Sequence, residues 1–336
     1  VRRVSLALQG GGAHGAFTWG VLDRLLEEED LQIAGISGTS AGALNGAALK
    51  AGLIAGGRKG ARARLDRLWT QVGEIGDFRM LPWITAFLPA LRFWQTATAA
   101  MLPFSPQAIA AQLYSPYVFG SRWTNPLEPV VRDLDFSHVC SGEGPRLFVS
   151  ATNVRTGRIK VFAGQKISPE ALLASACLPT VFQTVEIDGE AYWDGGFSGN
   201  PALFPLYEPD LPDDIVVVSI NPMRRDDIPD TPLEIQNRIN EISFNASLLG
   251  ELRAINFVRR LIAEGRMDAG KMKAVNVHMI SDDGLMNALS AETKLTPTPY
   301  LMERLKTAGR AAAERFLRDG GRKIGQEGMP LHDLLG

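Results

Sequence analysis

The pentapeptide Gly38-Thr39-Ser40-Ala41-Gly42 follows the apolar run Ile33-Ala34-Gly35-Ile36-Ser37 and precedes an alanine-rich stretch, Ala43 to Ala51. That order predicts a strand, a tight turn and a helix. A turn of this kind lifts a serine out of the sheet and exposes its hydroxyl. Gly38 and Gly42 leave space where a side chain would strike the neighbouring strand or helix. The N–H of Ala41, at the helix start, points where an oxyanion would form. Ser40 is therefore a candidate nucleophile, with Gly38 and Gly42 as the glycines of its elbow.

A second glycine-rich turn stands near the start of the chain. Val4 to Leu8 reads as a buried strand, followed by Gln9-Gly10-Gly11-Gly12-Ala13-His14-Gly15 and an amphipathic helix with Phe17, Val21, Leu22, Leu25 and Leu26. Backbone N–H groups between a strand and a helix N-terminus form an anion cradle. Gly10, Gly12 and Gly15 also satisfy the dinucleotide spacing G-x-G-x-x-G. That reading needs a carboxylate after the second strand, where this chain has Ser37-Gly38-Thr39-Ser40. An oxyanion hole serving Ser40 fits better; glycines that only make a tight turn are the plainer alternative.

A serine nucleophile needs a base. The four histidines, His14, His138, His278 and His332, lie in a glycine loop, a loop-like segment, a strand and the C-terminal tail, none a strong catalytic context. Asp194-Gly195-Gly196, after the alternating segment Val185 to Trp193, is better placed. Its two glycines let another backbone approach closely. An aspartate in water is a weak base, and burial in an apolar cleft raises its pKa.

Together, Gly10-Gly11-Gly12-Ala13-His14-Gly15, Gly38-Thr39-Ser40-Ala41-Gly42 and Asp194-Gly195-Gly196 resemble the patatin-like phospholipases. Ala174-Ser175-Ala176-Cys177-Leu178-Pro179 is similar to that family's Ala-Ser-x-x-x-Pro segment. The resemblance covers about residues 4–50 and 146–222 and is weak over 60–140 and 225–336. It implies an α/β three-layer fold with a mainly parallel central sheet flanked by helices. It implies a Ser–Asp dyad without histidine, Ser40 as nucleophile and Asp194 as base. It implies an oxyanion hole from the backbone of Gly11, Gly12 and Ala13, joined by Ala41, and hydrolysis of fatty-acyl esters through an acyl-serine. No metal or other cofactor is expected. His14 stands where the family usually carries Arg or Lys. Two other classes stay open: an acyltransferase or hydrolase of a non-lipid ester, such as a hydroxyalkanoate polymer or a thioester, and a non-catalytic lipid-binding regulator.

Composition narrows the partners. Thirty-five basic and 37 acidic side chains leave a net charge of −2, against a nucleic-acid binder. The two cysteines, Cys140 and Cys177, form neither a metal motif nor a disulfide framework. They fit a reducing compartment. A first strand beginning at about Val4 leaves no room for a signal peptide. No run of eighteen apolar residues is present. The expectation is a cytoplasmic protein that meets its lipid substrate at a membrane or lipid surface.

Strands are expected at 4–8, 33–37, 146–151, 158–162, 183–187, 215–220 and 274–280, alternating with helices that include 61–72, 233–264 and 298–317. Gly56-Gly57-Arg58-Lys59-Gly60 reads as a flexible basic loop, and 319–336 as a loosely held tail. The catalytic domain is set at 1–222, with a helical cap insertion at about 60–140; 223–336 is a helical and strand extension packed on the same domain. Within the insertion, Phe78 to Phe104 is aromatic-rich, with only Arg79 and Arg92 charged and prolines at 82, 89 and 103. It reads as a fixed cap or as a lipid-facing lid, with Trp83, Phe87 and Trp94 as acyl or interface contacts.

Overall fold

A computed structural model describes residues 1–75, 117, 124–268 and 270–335. The apolar segment Phe78 to Phe104, with Trp83, Phe87 and Trp94, lies outside the described residues.

Eight strands form one sheet: β1 (Arg2–Leu8), β2 (Leu31–Thr39), β3 (Arg146–Asn153), β4 (Ile159–Ala163), β5 (Val185–Ile187), β6 (Glu190–Asp194), β7 (Asp214–Val218) and β8 (Asn276–Ile280). Their order is β5-β6-β3-β2-β1-β7-β8, with β4 paired to β3. The β3-β2-β1-β7-β8 run is parallel, and β4, β5 and β6 pair antiparallel. The expected strand at 183–187 is the first arm of a hairpin whose second arm is β6.

The central strands bury both faces, as parallel strands between helices must. In β7, Val216 and Val218 point into one apolar core and Ile215 and Val217 into the other. The first core is covered by α1 (Gly15–Leu25), α2 (Ala41–Glu74), α3 (Pro169–Ser175) and α5 (Pro299–Asp319). The second is covered by α4 (Pro232–Ala263), through Leu248, Leu252 and Ile255. The result is helix, sheet, helix. No helix among the described residues is long and apolar enough to cross a membrane.

Two local expectations are corrected. Residues 56–60 are a kink inside α2, confined to Gly56 and Gly57, where Gly57 has φ 59°. The Arg58 guanidinium fastens the kink by donating to the carbonyls of Leu26, Glu29 and Leu31. The tail is also held. Ile324 and Leu331 are buried, Met329 N–H donates to the Val277 carbonyl at 2.8 Å, and Gly325 N–H donates to Asp214 at 3.0 Å. Glycine and charge content described the surface of this segment and hid its few apolar anchors.

Helices α1 and α5 cross in close backbone contact. A β-carbon at Gly20 would strike the Lys306 carbonyl, and one at Gly309 the Phe17 carbonyl. Backbone cannot yield as a side chain does, and overpacking typically costs about 1–3 kcal/mol. Gly309→Ala is therefore expected to lower Tm by about 2–10 °C. Gly250→Ala is the control: nothing lies within 4 Å of that position on α4, so alanine should leave Tm unchanged or raise it. Thermal unfolding followed by circular dichroism checks both.

Candidate active site

Ser40 occupies the single residue between β2 and α2. Its backbone, at φ 54° and ψ −124°, is strained for any residue with a side chain. Close packing enforces the turn. A β-carbon on Gly38 would lie 2.5 Å from the Gly42 carbonyl, and one on Gly42 would collide with the Leu8 carbonyl. The Ser40 N–H donates to Ser175 Oγ at 2.9 Å, and that hydroxyl donates to the Ser150 carbonyl at 2.6 Å. The elbow is thus tied to α3 and β3.

Strand register brings Asp194 to the same place. Thr39 pairs with Ser150, and Asp194 pairs with Ala151, the next residue of β3. The Asp194 N–H donates to the Cys177 carbonyl at 2.8 Å, and its carboxylate accepts from Gly196 N–H at 2.7 Å. Asp194 is 1 % exposed. Burial pushes its pKa up to about 7, against the downward pull of the Gly196 amide and of the Ser40 hydroxyl. Serine and aspartate, 154 positions apart in the sequence, come close enough for the hydroxyl to lower the carboxyl's pKa.

The glycine loop leans on Ser40. A β-carbon on Gly10 would sit 2.6 Å from Ser40 Cβ. A buried amide network holds the loop from behind. Gly10 N–H donates to Asn200 Oδ1 at 2.6 Å, and Asn221 Nδ2 donates to the Gly10 carbonyl at 2.7 Å. Gln9 Oε1 accepts from the amides of Ile220 and Asn221 at 2.9 and 3.1 Å. Beyond Gly10, the N–H groups of Gly11, Gly12, Ala13 and Ala41 have no acceptor among the described residues. Gly12, Ala13 and Ala41 line a cleft with Ser40, whereas Gly11 packs on Ile220.

That cleft holds about 560 Å³ including its open mouth, and its described wall is almost wholly apolar. Leu44, Trp69, Val72, Leu178, Val181 and Phe182 supply most of it. Trp69 is fixed by its indole N–H, which donates to Asn45 Oδ1 at 2.9 Å. The far wall comes from Lys294, Leu295 and Pro297, in the C-terminal extension.

The histidines fall elsewhere. His278 lies on β8 and meets Asp214 at 2.8 Å, both buried. Asp214 begins β7, at the end of the sheet away from Leu8 and the glycine loop. His138 is on a short helix, Phe136–Val139. His14 is in the glycine loop, buried and bonded to Thr293. Sequence reasoning missed Ser175 as the anchor of the Ser40 amide, although its segment was singled out. It also missed Asn200, Thr293 and Lys294, which carry no pattern that spacing exposes. No group of metal-ligating side chains occurs among the described residues.

The raised pKa of Asp194 links its charge to stability. The folded value, about 7, lies above the unfolded 3.8, so the folded chain holds this proton more tightly. The stability this gives is complete below pH 3.8 and is lost as pH rises through about 7. Asp194→Asn has no charge to bury. Its Tm should match wild type near pH 4 and exceed it increasingly up to about pH 8, by melting curves across that range.

Among solved structures, VipD from Legionella pneumophila aligns with 95% of this chain and 67% of its own, at 15% identity and a TM-score of 0.42. ExoU, in the heterodimeric ExoU–SpcU complex of the Pseudomonas aeruginosa type III secretion system, aligns with 94% of this chain at 16% identity and a TM-score of 0.33. This chain spans only 52% of that ExoU–SpcU structure's matched chain. No curated protein matches it in sequence. The sequence model of the patatin-like phospholipases matches residues 6–207, more than half of the chain, which therefore belongs to the patatin-like phospholipase family.

Proposed function

We propose that this protein is a serine acyl hydrolase of the lipase or phospholipase A type, with Ser40 as nucleophile and Asp194 as the sole general base. The observation that carries the reading is the buried Asp194 carboxyl, raised to about 7, beside a serine at a strained strand–helix turn. Backbone N–H groups of Gly12, Ala13 and Ala41, without an acceptor among the described residues and beside that serine, support an oxyanion hole. The apolar cleft supports a fatty-acyl chain as the bound group.

The reaction follows from these groups. Asp194 takes the Ser40 proton as Oγ bonds to the ester carbonyl carbon. The carbonyl oxygen becomes an oxyanion and is held by the loop amides and the Ala41 amide. The carbon–oxygen bond to the alcohol breaks, and Asp194 returns its proton to the departing oxygen. Water then repeats the sequence, losing a proton to Asp194 and bonding to the acyl carbon, and Ser40 leaves as the hydroxyl. Histidine is dispensable because burial has already moved the carboxylate into the range where a base works at neutral pH. Lipid is met from one side, without a membrane-spanning helix among the described residues.

Ser40→Ala should remove ester hydrolysis and fluorophosphonate labelling, by at least roughly 10³-fold, with an unchanged circular dichroism spectrum. Asp194→Asn should lower kcat by about 10²-fold or more, whereas His278→Ala should leave kcat near wild type. Wild-type kcat/KM should climb with pH and level off above about 7, because only the ionised Asp194 accepts the proton. Substantial turnover by folded Ser40→Ala on a chromogenic ester would end this reading.

A further inference from the structure

The glycine loop is braced from outside the family-matched region. The short turn Ala291–Lys294 lies against it. A β-carbon on Gly12 would strike the Lys294 carbonyl, so backbone rests directly on backbone. Two residues on, the His14 ring, 2 % exposed, places Nε2 2.7 Å from Thr293 Oγ1.

One proton arrangement satisfies both contacts of the Thr293 hydroxyl. A threonine hydroxyl has one proton, and Thr293 Oγ1 donates it to the Ser290 carbonyl at 2.6 Å. With its proton placed there, the hydroxyl accepts from His14. That arrangement puts the ring proton on Nε2 and leaves Nδ1 as a bare acceptor, buried and without a partner among the described residues. The opposite tautomer would draw the Thr293 proton away from the Ser290 carbonyl and bury an N–H at Nδ1 with no acceptor among the described residues. Burial and then the nearby Lys294 ammonium push the His14 pKa down to about 3, so the ring stays neutral. The bracing turn is itself anchored. Lys294 Nζ donates to Glu241 Oε1 at 2.9 Å and to Asn237 Oδ1 at 3.0 Å. Glu241, fully buried on α4, is also gripped by Arg225 through both oxygens at 2.8 Å.

We propose that Thr293 is a positioning residue for acyl hydrolysis: it fixes His14 as the Nε2–H tautomer and thereby holds the Gly12 and Ala13 amides in register with Ser40. The inference rests on the reading of those amides as an oxyanion hole. Thr293 touches neither substrate nor reacting atoms. Its influence runs through one hydrogen bond to a loop whose donors are useful only when correctly aimed.

The test uses the full chain. Thr293→Val keeps the shape of the side chain and removes the acceptor, leaving a buried N–H unpaired. Its kcat on a short chromogenic ester should fall about tenfold with KM nearly unchanged, since the loss falls on the transition state. The rate of fluorophosphonate labelling should fall in parallel, because that tetrahedral adduct uses the same donors. Thr293→Ser, which retains the hydroxyl, should restore both. Nitrogen-15 spectra should show wild-type His14 protonated on Nε2, with that signature lost in Thr293→Val. A role in packing alone would lower Tm and leave kcat and the His14 spectrum as they are. The proposal is overturned if wild-type His14 is protonated on Nδ1. It is equally overturned if Thr293→Val turns over and labels like a wild type whose activity depends on Ser40. Absence of any Ser40-dependent turnover or labelling in wild type would instead sink the hydrolase reading, and the positioning role with it.

Discussion

Strand β3 is the template on which the site is assembled. Thr39 pairs with Ser150 and Asp194 with Ala151, so two segments far apart in sequence reach adjacent rungs of one strand. Side chains on a sheet have a period of two, and a slip of one residue in either pairing would turn its side chains to the opposite face. The contact between Ser40 and Asp194 therefore depends on two registers being correct together. Ser175 locks one of them, since its hydroxyl joins the Ser40 amide to the Ser150 carbonyl. Gly195 locks the other: a β-carbon there would strike the same Ser150 carbonyl. Small side chains and backbone polar groups, with no long flexible residue among them, set the separation.

The same arrangement is costly to the fold. Ser40 sits at positive φ, Asp194 is a carboxyl almost without solvent, and several loop amides lack acceptors among the described residues. Each is unfavourable by itself. They persist because the surroundings are rigid and dry. Two apolar cores clamp the sheet from both sides, and a network of Gln9, Asn200, Asn221 and Asn245 satisfies the buried polar groups behind the glycine loop. The strain is concentrated where substrate atoms would complete the missing contacts, the pattern expected of a preorganised site.

How far the sequence could be read follows from the same physics. Strand, turn and helix around Ser40 were legible because a tight elbow admits few residue types, and Gly38 and Gly42 both stand against backbone atoms. The sheet was legible because β1, β7 and β8 are short apolar runs between breakers. The short β5–β6 hairpin was read as one alternating segment, since a two-residue turn at Asp188-Gly189 scarcely interrupts the alternation. Asp194 was legible through its glycines; its contact with Ser40 was not, because register on β3 is a tertiary fact. The kink at Gly56-Gly57 read as a loop, because the three carbonyls that Arg58 grips lie some 30 residues earlier. Thr293, Lys294 and Glu241 left no mark in the sequence. Each acts through polar contacts with distant parts of the chain, and such contacts have no periodicity.

The C-terminal extension then has a physical reason to be where it is. A glycine-rich loop pays the largest conformational entropy on folding, so it needs contacts to hold its donors still. Its own side chains are almost absent, and the polar anchors supplied by Asn200 and Asn221 act at Gln9 and Gly10, the loop's first residues. The far end, Gly12 to His14, is met by Thr293 and Lys294, which reach it only because α4 fixes Lys294 through Glu241. Breaking one partner of that buried ion cluster would leave an uncompensated charge, typically worth about 3–5 kcal/mol, so the turn has no inexpensive way to withdraw. The consequence for chemistry is a loop held at both ends by different parts of the chain. The same turn also forms the far wall of the cleft, with Leu295 and Pro297 next to it. Loop alignment and the shape of the cleft wall are thus carried by one short segment, and a change in either is transmitted to the other.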